Sequence, residues 1–207
     1  MPGLNIDLSV YPDEEALVTA LLAGEKFACA CMFKRYSSQM YSVALRIMGD
    51  SDEAEEVLQE AFISACTKMD SFEGRSKLGT WLYRITTNAA LMRLRKQRDD
   101  TVSLDEPQDT GDGDSMPRQF GDWSVEPGQE ILSQELRQVL EQAVQTLPAS
   151  LRAAFILRDI QGMSTEEAAE ALEITPGALK VRLHRARLQL RELLAGYLSE
   201  HTLEAPA

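Results

Sequence analysis

Residues 164–187 read STEEAAEALEITPGALKVRLHRAR, and their pattern decides the fold class. Ser164 followed three residues later by Glu167 is a capping box: the hydroxyl accepts a backbone N–H while the carboxylate reaches back to the cap. A short helix is expected next, then a tight turn through Glu173, Ile174 and Thr175. Pro176 then opens a second helix, at a position where its missing N–H costs nothing. Many such turns have Gly where Glu173 stands, so Glu173 is expected either to take a positive φ or to reshape the turn. Helix, brief turn and longer basic helix form the helix-turn-helix pattern. On the second helix Leu179, Leu183, Ala186, Leu190 and Leu194 make an apolar stripe. Lys180, His184, Arg187 and Arg191 lie on one flank of it, Arg182 and Arg185 on the other. Its early turns suit a major groove, where Arg and Lys meet phosphates and base edges.

The rest of the chain is acidic, with a net charge of −12 over 207 residues. Self-repulsion of that size opposes indiscriminate binding to phosphate unless cations cluster locally. They do cluster. Residues 50–60 carry Asp50, Asp52, Glu53, Glu55, Glu56 and Glu60 with no Lys or Arg, forming one acidic surface. Residues 75–98 invert the balance with Arg75, Lys77, Arg84, Arg93, Arg95, Lys96 and Arg98 and no acid. The run from 99 to 130 is rich in Asp, Gly, Pro and Ser and holds only Arg118 as a cation. Such a run cannot bury enough apolar surface to offset its ordering entropy. The expected organisation is therefore a first helical domain at 1–98, a flexible acidic linker at 99–129, a second helical domain at 130–198 and a short tail at 199–207.

Both halves read as helical, and the expected fold class is all-α with two small domains. Ala54, Val57, Leu58, Ala61, Phe62 and Ala65 recur at helical spacing and define the buried stripe of the acidic helix. Around it helices are expected at 12–23, ended by Gly24, at 27–48, ended by Gly49, and at 77–97, with a loop at 70–74. In the second half helices fit 131–146, 149–161, 165–172 and 176–197. No apolar run approaches the roughly 18–20 residues of a membrane span, and the N-terminus has no secretion pattern, so a cytoplasmic protein is expected.

Three cysteines are few and odd in number, which agrees with a reducing compartment. Cys29 and Cys31 are two apart on an expected helix and point in different directions. With Cys66 they are read as small buried side chains rather than as a metal site or redox sensor. His184 and His201 complete no triad or zinc pattern, and no phosphate-binding Gly-rich loop is present. Neither enzymatic activity nor a metal or cofactor is expected.

Three segments together resemble a known family. GDSDEAEEVLQEAFISA (49–65) and DSFEGRSKLGTWLYRITTNAALMRLRKQR (70–98) resemble domain two of the extracytoplasmic-function (ECF) RNA polymerase sigma factors, group IV of the sigma-70 family. LPASLRAAFILRDIQGMSTEEAAEALEITPGALKVRLHRAR (147–187) resembles their domain four. The likeness runs from about residue 17 to 194 in the family's order. It implies a protein that binds core RNA polymerase, through the β′ clamp helices and the β flap, and directs it to promoters. It also implies an anti-sigma factor as partner and no membrane insertion.

On these residues the resemblance puts Glu56, Gln59 and Glu60 at the polymerase-docking face. It puts Phe72 and Glu73 near a flipped base of the −10 element, and Asn88 at a base contact. Arg75, Lys77 and Arg84, with Arg93 and Arg95, are expected to follow the backbone of the opened strand. Lys180, Arg182, His184, Arg185 and Arg187 fall on positions that meet the −35 element. Trp81 is read as core, and Val181 stands where a small hydroxyl residue is common. Leu82 replaces a second aromatic found in housekeeping members, as in the stress-responsive group. A second reading is an autonomous helix-turn-helix regulator with an N-terminal signal-binding domain, and a third is an adaptor that uses these faces for protein contacts alone. Combining the acidic helix, the FEG loop and the basic helix serves the first reading and has no reason in a signal domain.

Overall fold

The computed structural model describes residues 10–101 and 134–202. Among these residues eight α-helices run in order: α1 (Glu14–Leu22), α2 (Ala28–Met48), α3 (Ser51–Thr67), α4 (Leu78–Thr101), α5 (Gln134–Thr146), α6 (Ala149–Phe155), α7 (Thr165–Ala171) and α8 (Pro176–Thr202). A 3-10 turn, Met69–Ser71, follows α3, and a π-helical turn, Ile156–Ile160, continues α6. Among the described residues there is no strand. Helix α4 runs to Thr101, into the stretch expected as linker, and the rest of that stretch lies outside the described residues, as do 131–133 and 203–207. Helix α8 likewise runs past the expected end at 197.

Local chemistry starts and stops these helices. Asp13 caps α1 by accepting the Ala16 N–H at 2.8 Å. Asp50 accepts from the N–H groups of Asp52 and Glu53, both at 2.9 Å, satisfying donors that have no partner within α3. Between α2 and α3, Gly49 takes φ 77° and closes α2 with its N–H on Leu45 O. A side chain at Gly49 would be strained by that φ, and its Cβ, 2.7 Å from Gln145 Oε1, would force the end of the Gln145 side chain to shift. This tight connection folds α3 back along α2.

The first half packs around Leu17, Met32, Met40, Leu58, Phe62, Phe72, Leu78, Trp81 and Leu82. A second cluster takes Val43, Ala44, Ile47, Ala54, Val57 and Ala90 from the first half and continues into Val144, Leu147, Leu151, Ile156, Leu157, Leu179 and Leu183 of the second. The two halves therefore meet along an apolar seam, and polar bonds close its edge. Gln145 Nε2 donates to Arg46 O at 2.8 Å, and Arg152 Nη1 donates to Ile47 O at 2.6 Å and to Gln145 Oε1 at 2.7 Å. Arg152 Nη2 donates to the carbonyls of Gln145 (2.7 Å) and Leu147 (3.1 Å). The last carbonyls of α2, which lack intrahelical donors, are thus satisfied by residues about a hundred positions further on. Burial pushes the Arg152 guanidinium below its ordinary pKa.

Candidate nucleic-acid interface

The helix-turn-helix forms as its sequence dictates. Ser164 caps α7 with both halves of the capping box: the Glu167 N–H donates to Ser164 Oγ (3.1 Å), and the Ser164 N–H donates to Glu167 Oε2 (2.9 Å). These bonds hold the Glu167 carboxyl below its ordinary range. Glu173 takes φ 54°, the left-handed conformation that the turn requires. Thr175 Oγ1 then accepts the Ala178 N–H at 3.1 Å and starts α8.

On α8, Leu179, Leu183, Ala186 and Leu190 are buried, and Leu194 is half-buried. Lys180, His184, Arg185 and Arg187 are exposed and Arg182 is half-buried. Val181 stands 41 % exposed on the outermost line of the helix, between the two basic flanks. Arg187 is not a bare cation: its guanidinium donates to both carboxylate oxygens of Asp159, at 2.9 and 2.7 Å. Asp159 belongs to the π-helical turn, where Gln161 N–H reaches back five residues to Ile156 O at 2.9 Å.

The acidic helix α3 buries the expected stripe in full: Ala54, Val57, Leu58, Ala61, Phe62 and Ala65. Glu56, Gln59 and Glu60 are exposed. The face is not simply solvated, because Arg93 of α4 bonds Glu53 and Glu56 and lies 3.4 Å from Glu60. The bond that Arg93 donates to Glu53 leads in raising the Arg93 pKa. Arg93, expected along the opened strand, is bonded to the acidic helix in this structure.

In the 70–74 loop the two residues expected near a flipped base stand differently. Glu73 is exposed and pairs with Arg75, but Phe72 is buried, its ring 5.3 Å from that of Trp81. Trp81 is in the core as expected, whereas Phe72 offers no face to a base in this arrangement. An aromatic at the end of a short 3-10 turn gains more from burial against Trp81 than from solvent. Asn88 and Arg84 are half-buried along α4. Lys77 Nζ stands 3.7 Å from Glu167, and Tyr83 OH donates to Gln161 Oε1 at 3.2 Å, so this side of α4 faces the helix-turn-helix unit.

Two features escaped the sequence. Glu14 orients the start of α4: its Oε1 accepts the Leu78 N–H at 2.9 Å and its Oε2 accepts Tyr36 OH at 2.8 Å. Burial, then that bond, drives the Tyr36 pKa upward. Cys29 and Cys66, read as small buried side chains, are half-buried against the core and joined to each other as a disulfide, while Cys31 points into the core. Nothing in the spacing of the cysteines signals this, since it follows from the folding of α3 back on α2. Among the described residues no group of side chains is arranged to hold a metal ion, and no helix is long and apolar enough to cross a membrane.

This two-part helical scaffold, with an acidic helix and a basic helix-turn-helix on separate elements, is that of the sigma-70 class. Sigma-70 region 2 is matched over residues 32–99 and sigma-70 region 4 over residues 137–190. The ECF RNA polymerase sigma factor SigW of Bacillus subtilis is 36% identical over 171 residues, spanning 83% of this chain and 91% of the relative. The ECF RNA polymerase sigma-E factor of Escherichia coli is 33% identical over 178 residues, spanning 84% and 90%. The chain belongs to the ECF RNA polymerase sigma factors, which are not a family of enzymes. Among solved structures, CnrH in complex with the cytosolic domain of CnrY shares the fold at a TM-score of 0.61, with 22% identity over 88% of this chain and 97% of that one. The sigma factor RpoE in complex with the anti-sigma factor NepR, from Bartonella quintana, has a TM-score of 0.56 with 28% identity, covering 79% and 94%.

Proposed function

We propose that this chain is a promoter-specificity subunit. It binds core RNA polymerase, directs it to promoters through their −10 and −35 elements, and acts in the cytoplasm without catalysis of its own. The observation that carries the reading is the separation of charge: Glu56, Gln59 and Glu60 stand exposed on α3, while Lys180, His184, Arg185 and Arg187 stand exposed on α8. One face suits a basic protein surface and the other a duplex. In this reading residues 1–98 carry polymerase and −10 contacts, with Glu73, Arg75, Lys77, Arg84 and Asn88 on the opened strand. Residues 130–198 carry the −35 contacts.

Engaging a promoter asks the two halves to part, because Lys77 and Tyr83 are tied to Glu167 and Gln161. Phe72 must also leave Trp81 before it can meet a base. The complex of RpoE with NepR supports a comparable partner here, an anti-sigma factor. The test is transcription of fragmented genomic DNA by core polymerase loaded with this chain, with start sites mapped by sequencing. Shared −10 and −35 elements upstream of the starts are expected, with the −35 preference lost in Arg182→Ala/Arg185→Ala. Starts with no common element would overturn the reading.

A further inference from the structure

The α2–α3 hairpin carries a second chemistry, in its cysteines. Cys29 lies in the first turn of α2 and Cys66 in the last turn of α3, with their Cα atoms 6.0 Å apart. That lies within the separation of about 4.4–6.8 Å that a disulfide spans without backbone movement. The register is set independently of the sulfurs. One helical turn along, Phe33 meets Phe62 edge to face with centroids 4.9 Å apart, and 33 and 62 are the residues four after 29 and four before 66. Cys29 and Cys66 are therefore the next rung of the same ladder. Both are half-buried and keep some surface open to a small oxidant, whereas Cys31, two residues away, is buried.

We propose that Cys29 and Cys66 are an oxidative modification site, a thiol pair that a peroxide closes to a disulfide and cellular thiols reopen. In the closing step one thiolate attacks hydrogen peroxide, breaking the O–O bond to give a sulfenic acid and hydroxide. The second thiol then attacks the sulfenic sulfur, and water leaves. The two sulfurs together lose two electrons, and peroxide is reduced to water. Reopening is exchange with two equivalents of a small thiol, which leave as their own disulfide. In a reducing cytoplasm such a pair is open at rest and closes under oxidants, the pattern of intracellular disulfides generally. Closure staples together the hairpin whose outer face holds Glu56, Gln59 and Glu60, and restricts the unfolded chain over a separation of 37 residues.

The experiment uses the full chain, reduced and then treated with hydrogen peroxide. Thiols counted after unfolding in guanidinium are expected to fall from the three of the sequence to one. Trypsin should release a single linked species, FACACMFK joined to IMGDSDEAEEVLQEAFISACTK, two mass units lighter than its parts. Fragmentation between the first two cysteines assigns the bond to Cys29. The oxidised chain should melt about 5–10 °C above the reduced one, and Cys29→Ser should abolish that difference while melting close to the reduced wild type. Three thiols remaining after peroxide, a bond through Cys31, or bonds only between chains would each overturn the proposal.

Discussion

The guanidinium of Arg93, on α4, bonds the carboxylate of Glu56, on α3, and continues to Glu53 and Glu60. One cation thus ties together two helices and partly neutralises the face proposed to dock on polymerase. Arg93 is 23 % exposed, so the network is worth more than an isolated surface pair and less than a buried one. Arg93→Ala is expected to lower stability by about 1 kcal/mol. The loss should shrink in high salt, measured as the urea midpoint at low and high ionic strength.

Arg152 makes its four bonds to oxygens of Ile47, Gln145 and Leu147 at the seam between the halves. Arg152→Met preserves bulk but leaves those oxygens without a charged donor. It should cost about 2–3 kcal/mol, a fall in melting temperature of about 5–10 °C, with faster hydrogen exchange in the last turn of α2.

Glu173 is the one non-glycine at positive φ among the described residues. Glu173→Gly removes the left-handed penalty at a position with no other stated role, and the gain is partly offset by the freer unfolded chain. A gain of about 0.5–1 kcal/mol is expected, read as a melting temperature raised by about 2–4 °C. Unchanged or lower stability would mean that the side chain contributes to the turn.

Glu167 titrates below its ordinary 4.5 because Ser164 bonds it through both N–H and hydroxyl. Its depressed folded-state pKa means that the unfolded chain binds the proton more readily. The contribution is therefore present above 4.5 and is lost as the pH falls through the lowered value. Glu167→Gln keeps an acceptor but no titrating group. Wild type should be the more stable at pH 7, and the difference between the two urea midpoints should narrow steadily on acidification below pH 4.5.

What was legible in the sequence was what repeats or caps locally. The six buried residues of α3 follow from helical spacing alone, and Ser164, Glu167 and Glu173 follow from the chemistry of one turn. The features that were not legible join residues far apart in the chain. Arg93 reads as one cation in a basic run until α3 folds against α4, and Cys29 reads as a small buried side chain until α2 and α3 set its rung opposite Cys66. Phe72 is a loop residue whose burial depends on Trp81, nine positions on and in another element.

As a polymerase subunit proposed to dock through α3, this chain should form a complex with bacterial core RNA polymerase that gel filtration detects. Wild type is compared with the variant carrying Glu56→Lys, Gln59→Lys and Glu60→Lys, whose folding is checked by its helical circular dichroism. Co-elution of wild type, lost in the folded variant, is predicted. Failure of wild type to associate, together with specific binding of a duplex by the chain alone, would contradict the account and describe an autonomous regulator.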